Sequence, residues 1–501
     1  MLCESEWSKT RLRTTAGRGT AERVVSVQAL ACLMYGQAAH HDEVLDEQYL
    51  NRGPEGAGNS RSLDRPRRSV FQSDTPMVGP FSIQEDDARP GLWIWWGSLA
   101  LFCVAAASGA TFWFTVAYGG QDAFSLGNIR HAHSHLMYIG WATPTLMGLI
   151  WALLPAEATK PYKRPFRGVI GATFAATVLC YPLFLLYGYS PVQMGPVRMS
   201  IAAAASGLNI LCWYAFVGLH ASGTWGRPRT GPLRIWDVAL SLLTLSTLGA
   251  WGVGVLHGLD VHNPIWTTAA IHFYLDLFSE GWFVLGLLGV MVRLSGEGQD
   301  RSWTRPLVLV TCGLPASFLL ALPSSYLSGT VELAGRLGAG LVGLGLLLFV
   351  GRLYRPVRTA NAVWTWGLPL LALGLKAAGQ LAVALLLVLW PGDHNGLRIL
   401  YLHLMLLGFV SMGLVAGVCV VWKGASVRGT AAFYGAVALV LGSRVLLIWP
   451  GGGVVQQIAA WVALLPLLAA GLLLAEGRAG QVDDRSRSSP LQQKRPTHGN
   501  T

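Results

Sequence analysis

The feature that most constrains the fold is a series of long apolar runs that begins at Leu92 and repeats almost to the end of the chain. A run of about 20 apolar residues is long enough to cross the ~30 Å hydrocarbon core of a bilayer as a helix. Twelve such runs can be counted, at 92–118, 128–154, 168–189, 198–219, 235–256, 265–292, 306–323, 331–351, 363–389, 397–422, 431–449 and 454–475. The pattern therefore predicts an all-α, polytopic membrane protein with about twelve transmembrane helices.

The composition also indicates a membrane protein, and it argues against a soluble protein and a nucleic-acid-binding protein. The 501 residues are 52% hydrophobic and only 13% charged, which is too apolar for a soluble protein with a single core. The formal charge of +11 lies mainly in the N-terminal region and in alternate loops, so no nucleic-acid partner is expected. The seven cysteines include no CxxCH motif and no zinc-ligand spacing, and those within the apolar runs are interpreted as packing residues.

The two ends of the chain differ from its middle. Residues 1–90 are polar and lack sustained apolar periodicity, so they are predicted to form a disordered N-terminal tail. An alternative start at Met77 would make this segment an over-extended reading frame. Residues 91–476 are expected to form the transmembrane domain, and residues 477–501 a disordered cytoplasmic tail.

Loop charges predict the orientation in the membrane. The connections after runs two, four, six, eight and ten are rich in Lys and Arg, whereas opposite connections such as 257–264 and 449–453 are nearly free of cations. Cytoplasmic loops of membrane proteins carry the excess of positive charge. The chain is therefore expected to be a multi-pass protein of the cell's inner (cytoplasmic) membrane, with the lipid bilayer as a partner and both termini in the cytoplasm.

Three of the runs carry histidine, which is rare inside a membrane helix. His131, His133 and His135 lie near the start of run two, His272 lies in run six and His403 in run ten. Because ionisable groups are costly to place in a membrane, each is a candidate functional residue. All three runs start from the predicted non-cytoplasmic side, so we expect the histidines in one layer near that face.

The histidine-bearing runs are the second, sixth and tenth, so they recur every four helices. This recurrence indicates a threefold repeat. Residues 130–140 match residues 398–408 at five positions, and His135 then aligns with His403. A weaker match over three positions relates run two to run six. We therefore expect a pseudo-threefold arrangement of the twelve helices.

Helical geometry divides the histidines of run two. At about 100° per residue, His131 and His135 share one face of the helix and His133 points nearly the opposite way. Two imidazoles four residues apart can hold one metal ion, or one can be an axial haem ligand that the other supports. Asp276 and Glu280 follow His272 at intervals of four residues and form an acidic stripe on the same helix. These carboxyl groups could be metal ligands, hydrogen-bond partners of metal-bound histidines, or proton relays.

Lys376 in run nine and Arg444 in run eleven are further candidate charges within the apolar runs. Either could face a water-filled path or bind haem propionates. The alternative is that the charge reaches towards the interface or pairs with a backbone carbonyl, which suits Arg444 near the end of its run.

Twelve runs with histidines on the second, sixth and tenth resemble subunit I of the haem-copper oxidase superfamily, which includes cytochrome oxidases and nitric-oxide reductase. The segment H-A-H-S with a following Gly-Trp also resembles a ligand-helix motif of the cbb-type oxidases. This resemblance implies a haem b with axial histidines from runs two and ten, here His131 or His135 with His403. It further implies a copper or non-haem iron ion at His272, Asp276 and one histidine of run two, here His133. As ionisable groups inside the membrane, Glu280 and Lys376 are predicted to lie on a proton path.

The chain departs from the family pattern at two places. Run seven has no His-His pair, and run ten has one histidine where the family has two. The expected function is therefore a haem-binding membrane redox protein, with electron transfer from a cytochrome or quinol donor and with oxygen or nitric-oxide chemistry as an oxidoreductase. The NnrS proteins, which are haem- and copper-containing membrane proteins, are an alternative relative. A metal- or proton-coupled transporter is the alternative from another functional class.

Overall fold

The computed structural model describes residues 91–120, 124–195, 197–259, 261, 263–296, 301–322, 328–386, 395–448 and 452–488. These residues include twelve helices that are long and apolar enough to span a membrane, which confirms the predicted fold class. In chain order they are α1 (Leu92–Tyr118), α2 (Leu126–Leu153), α3 (Ala156–Tyr187), α4 (Ile201–Thr224), α5 (Gly231–Leu256), α6 (Pro264–Leu294), α7 (Thr304–Ala321), α8 (Gly329–Thr359), α9 (Val363–Leu385), α10 (Ile399–Val421), α11 (Val427–Leu446) and α12 (Gly452–Gly477).

The two predicted tails fall largely outside the described residues. Residues 1–90 and 489–501 lie outside them altogether. The last helical segment, Leu465–Ser488, continues past residue 477, where the disordered tail was expected to begin. No proline interrupts the polar stretch before Pro490, so the helix that starts in the apolar run can continue beyond it.

A short antiparallel hairpin lies in the connection between α3 and α4. It pairs β1 (Val192–Met194) with β2 (Val197–Met199). Gly195 in its turn has a φ of +60°, a backbone conformation that glycine adopts without steric cost. Two three-residue strands do not change the all-α class.

Helices α2, α6 and α10 form the centre of the bundle. In the most apolar stretch of each of these three helices, 78 to 89% of the residues are buried. In the other nine described spans the buried share is 33 to 50%. Glycines let these three helices approach one another closely. A Cβ atom would come within 2.8 Å of Leu146 if added at Gly286, within 2.8 Å of Leu149 at Gly417, and within 2.5 Å of Leu287 at Gly413.

Each central helix widens into a π-helical segment at an equivalent point. The segments are Leu136–Ala142 in α2, Leu277–Val284 in α6 and Leu404–Ser411 in α10. The residues directly before them are His135, Asp276 and His403, and the fifth residue of each segment is glycine, Gly140, Gly281 and Gly408. Such segments are rare and frequently occur at functional sites. Their common register confirms the predicted pseudo-threefold arrangement.

The surrounding helices follow the same repeat. A Cβ atom added at each π-segment glycine would approach an equivalent neighbouring helix, through Leu101 of α1 at Gly140, Leu242 of α5 at Gly281 and Ala372 of α9 at Gly408. At Gly140 it would also press against Thr177 of α3, and at Gly408 it would lie 3.4 Å from Leu441 of α11. Helices α1, α5 and α9 are therefore equivalent. The bundle consists of three four-helix repeats. The contacts of Gly286 with Leu146 and of Gly413 with Leu287 join equivalent positions, whereas the interface of α2 with α10 places Gly417 against Leu149.

Candidate functional site

The candidate site begins with one histidine on α2 and one on α10. His133 Nδ1 donates a hydrogen bond to the carbonyl oxygen of Ala105 in α1, and His403 Nδ1 donates to the carbonyl oxygen of Ile399, both at 2.7 Å. Because a carbonyl oxygen only accepts, these bonds place the ring proton on Nδ1 and leave Nε2 with a free lone pair. Neither Nε2 has a hydrogen-bond partner among the described residues.

These two histidines and Arg444 of α11 form one cluster. His403 interacts electrostatically with both Arg444 and His133, and His133 also interacts with Arg444. Both imidazoles remain partly exposed, although α2 and α10 are the helices at the centre of the bundle. Protein atoms therefore do not cover these two residues completely.

Arg444 adds a positive charge to this cluster. The residue is 2% exposed, and its guanidinium carbon lies 4.0 Å from the centre of the Trp113 ring in α1. Its Nε and Nη1 atoms have no hydrogen-bond partner in the part of the chain that the structure describes. Burying such a group without a partner is costly, so this position suits an anionic ligand group.

Small residues of α1 make room for His133. Ala105 accepts its hydrogen bond, and one turn later a Cβ atom at Gly109 would lie 2.9 Å from His133 Cε1. A side chain at position 109 would therefore displace the imidazole.

The other two histidines of α2 face away from this cluster, as helical geometry predicts. His135 stacks on Phe184 of α3 with 3.8 Å between ring centres, and His131 contacts Tyr189 edge-on at 4.7 Å. The α2 histidine beside His403 is therefore His133, and not His131 or His135 as the family resemblance implied. The physical reason is that residues two apart on a helix point in nearly opposite directions.

Tyr189 lies in the connection after α3 and is 50% exposed. Desolvation by its surroundings disfavours the phenolate and raises the pKa of Tyr189 to about 12, against the opposing effect of Arg130. At neutral pH the hydroxyl therefore stays protonated and uncharged.

A second polar cluster lies between α6, α9 and α10. Glu280 and Lys376 form an ion pair of 2.7 Å between Oε2 and Nζ, with side chains 6% and 0% exposed. Lys376 also donates to Gln380 Oε1 at 2.5 Å, Gln380 Nε2 donates to Glu280 at 3.4 Å, and the Tyr401 hydroxyl donates to Glu280 at 3.2 Å. The two residues predicted for a proton path are thus in direct contact.

Asp276 belongs to the same cluster. It interacts electrostatically with Glu280 and Lys376, and it lies near Ser317 of α7. A second carboxyl group, that of Asp276, therefore lies near the ion pair of Glu280 and Lys376 inside the bundle. Charged groups in such surroundings interact more strongly than in water because the local dielectric constant is low.

The residues predicted for the second metal do not converge on one centre. Among the described residues, no group of three or more His, Cys, Asp or Glu side chains is placed to hold a metal ion. His133 turns to α1, Asp276 lies in the acidic cluster, and His272 is buried on α6. Copper or non-haem iron at these three residues stays a prediction without a geometric counterpart.

The threefold repeat relates the clusters to one another. The residue directly before each π segment is His135 in α2, Asp276 in α6 and His403 in α10, so these three are equivalent. Two residues earlier, the equivalent residues are His133, Tyr274 and Tyr401. The interface of α2 with α10 therefore pairs two imidazoles, His133 and His403. At the interface of α10 with α6, the Tyr401 phenol interacts electrostatically with the Asp276 carboxyl group. The corresponding positions of α6 and α2 hold Tyr274 and His135. One interface of the three offers two metal-binding nitrogens at these positions.

Sequence reasoning did not single out Gln380 or Tyr401. Gln380 follows Lys376 by one helical turn, and Tyr401 aligns with His133 within the repeat of residues 130–140 and 398–408. Both signals were present in the sequence but depend on knowing the register of the repeat.

Comparison with known proteins assigns no family to the chain. No protein-family model matches it, and no curated protein matches it significantly. The side-chain geometry of the described residues is therefore the basis for assigning a function.

Proposed function

We propose that this chain is an integral membrane redox protein that binds one haem b between α2 and α10, with His133 and His403 as axial ligands. One observation carries the proposal: imidazoles from two central helices, each anchored through Nδ1 and free at Nε2, interact electrostatically with each other and with a buried guanidinium whose Nε and Nη1 lack hydrogen-bond partners among the described residues. The resemblance to subunit I of the haem-copper oxidases implicates the same two helices.

The donor set fits a haem. A histidine that binds a metal through one nitrogen commonly donates its other N–H to a carbonyl or carboxylate, which orients the ring. His133 and His403 both have this arrangement through Ala105 and Ile399. Bis-histidine coordination of haem iron uses two such nitrogens.

Arg444 supports the same ligand by its charge. Haem propionates are carboxylates, and a guanidinium binds carboxylates with charge-assisted hydrogen bonds. The Nε and Nη1 donors of Arg444 are buried and unused among the described side chains. Binding an anionic group there would remove the cost of burying an unpaired cation.

A haem held by His133 and His403 would supply one-electron transfer, and it would bind oxygen or nitric oxide only if one of these histidines gave up its position. The chain contributes the anchored imidazoles, the countercharge of Arg444, and a central bundle that restricts water. Oxygen or nitric-oxide chemistry, and a cytochrome or quinol as electron donor, are the extensions that the family resemblance implies. A role like that of the NnrS proteins would use the same haem site.

The test is the visible spectrum of the full chain, purified in detergent after haem-replete expression. We expect a dithionite-reduced minus oxidised spectrum with a haem b α-band. His133→Ala and His403→Ala should abolish this band while the protein remains membrane-inserted, whereas the matched variants His131→Ala and His135→Ala should keep it. A haem-free wild-type protein, or a band that survives in His133→Ala and His403→Ala, would contradict the proposal.

The buried charges favour a second candidate, a proton-coupled transporter. Intramembrane carboxylates paired with lysine are groups that transporters use to bind or relay protons. Glu280, Asp276 and Lys376 form such a set. In this case the purified chain would lack haem, and proteoliposomes would take up substrate or protons under a pH gradient in a way that Glu280→Gln abolishes.

A further inference from the structure

The α3-facing side of α2 carries two imidazoles that the proposed haem site does not use. His131 and His135 are four residues apart, and the His135 Nδ1 atom donates to the backbone carbonyl of His131 at 2.9 Å. This bond fixes the tautomer of His135 and leaves its Nε2 with a free lone pair. Neither that atom nor either ring nitrogen of His131 has a hydrogen-bond partner among the described residues.

Aromatic side chains hold these imidazoles in position. Phe184 is fully buried and stacks on His135 at 3.8 Å between ring centres, and it packs against Tyr189 at 5.1 Å. Tyr189 in turn meets His131 edge-on, with an angle of 84° between the rings. The imidazoles are thus closed off on the side of Phe184, while the half-exposed Tyr189 marks the side that solvent can reach.

Two imidazoles one turn apart on a helix are a recurrent way to hold a transition metal, as in metalloproteases that carry both histidines on one helical face. Imidazole nitrogen suits copper, zinc and nickel, and affinity for divalent ions is highest at copper. Arg130 interacts electrostatically with His131, which disfavours highly charged ions. Copper can bind in its singly charged form, so this repulsion is smallest for copper.

We propose that His131 and His135 bind one copper ion, with water and the neutral Tyr189 hydroxyl completing its surroundings. The site would lie on the opposite side of α2 from His133. It is therefore separate from the proposed haem site, and neither proposal depends on the other.

The test uses the full chain in detergent with an affinity tag that contains no histidine. The protein is loaded with Cu⁺ under ascorbate or with Cu²⁺, passed over a desalting column and analysed by mass spectrometry for bound metal. We expect one copper per chain, a Cu²⁺ electron paramagnetic resonance spectrum with nitrogen hyperfine splitting, and weaker retention of zinc. His131→Ala and His135→Ala should weaken copper binding by at least about tenfold, as the loss of groups at metal sites typically does.

His133→Ala is the matched control, because it removes an imidazole from the same helix and should leave copper binding unchanged. His131→Gln and His135→Gln keep a polar side chain of similar length, and a monodisperse elution profile shows that these variants fold. Copper that is bound below one equivalent, or that is retained by the double variant His131→Gln/His135→Gln, would show adventitious surface binding and overturn the proposal. Copper lost in His133→Ala but not in His135→Ala would place the ion in the other cluster and overturn it too.

Discussion

Lys376 of α9 and Glu280 of α6 form an ion pair of 2.7 Å inside the bundle, and both side chains are almost completely excluded from solvent. Replacing Lys376 by methionine would leave Glu280 without its ion-pair partner and would remove the positive charge near Asp276. Breaking a buried pair on one side costs about 3–5 kcal/mol, because an uncompensated charge remains. We expect Lys376→Met to lower the thermal unfolding midpoint in detergent clearly.

Two variants test this explanation. Lys376→Met/Glu280→Met removes both charges and should recover much of the lost stability, since a well-packed apolar pair can replace a buried ion pair. Lys160→Met, at an exposed lysine, should have little effect. Equal midpoints for Lys376→Met and Lys160→Met would show that the ion pair does not matter for stability.

Arg444 should affect haem binding and the stability of the haem-free chain in opposite directions. Arg444→Met removes a buried cation that has unused donors within the described residues, so the haem-free protein should become more stable. It also removes hydrogen bonds to the propionates, each worth about 1.5–3 kcal/mol, which corresponds to roughly ten- to hundredfold weaker haem binding. Haemin titration gives the affinity, and thermal unfolding without haem gives the stability.

Arg336→Met is the matched control for Arg444. Arg336 also lies in a membrane-spanning helix, but its Nη2 pairs with Glu332 at 2.6 Å on the same helix, α8. Its loss should leave haem affinity unchanged. Unchanged haem affinity in Arg444→Met would mean that the propionates bind elsewhere.

Replacing Gly109 should change the haem spectrum by moving the His133 imidazole. Gly109→Ala would place a Cβ atom 2.9 Å from His133 Cε1, so the imidazole must shift away from its hydrogen bond to Ala105. We expect a displaced α-band or a partial loss of haem. Gly218→Ala, on α4 with nothing within 4 Å of the added atom, should leave the spectrum unchanged. Identical spectra for both variants would exclude a close contact between Gly109 and the ligand.

The sequence predicted the twelve spans because each is a long apolar run, and it predicted that His133 opposes His131 and His135 because helical geometry is regular. It did not reveal which side of α2 faces α10: the resemblance implied His131 or His135 as the partner of His403, whereas in the structure His133 interacts electrostatically with it. That choice depends on how α1 and α3 pack, through Ala105 and Phe184, and long-range packing leaves no local signal.

The π segments and the role of Arg444 illustrate the same limit. The common glycines at 140, 281 and 408 were visible, but a π turn differs from an α turn by one residue and has no distinct apolar period. Arg444 lies near the end of its run, where an arginine usually reaches the interface. In the structure it instead packs on Trp113, more than 300 residues earlier in the chain.

Gly413 tests whether the central helices depend on close packing. A Cβ atom there would lie 2.5 Å from Leu287 Cδ2 of α6, so Gly413→Ala should destabilise the protein by about 1–3 kcal/mol through overpacking. Gly435→Ala, on α11 with nothing within 4 Å, should be neutral or slightly stabilising. Adding Leu287→Ala to Gly413→Ala makes space for the new methyl group, so the double variant should be less destabilised than the sum of the single variants. Strict additivity, measured by thermal unfolding in detergent, would mean that the two residues do not touch, and α6 and α10 would not then pack through this pair.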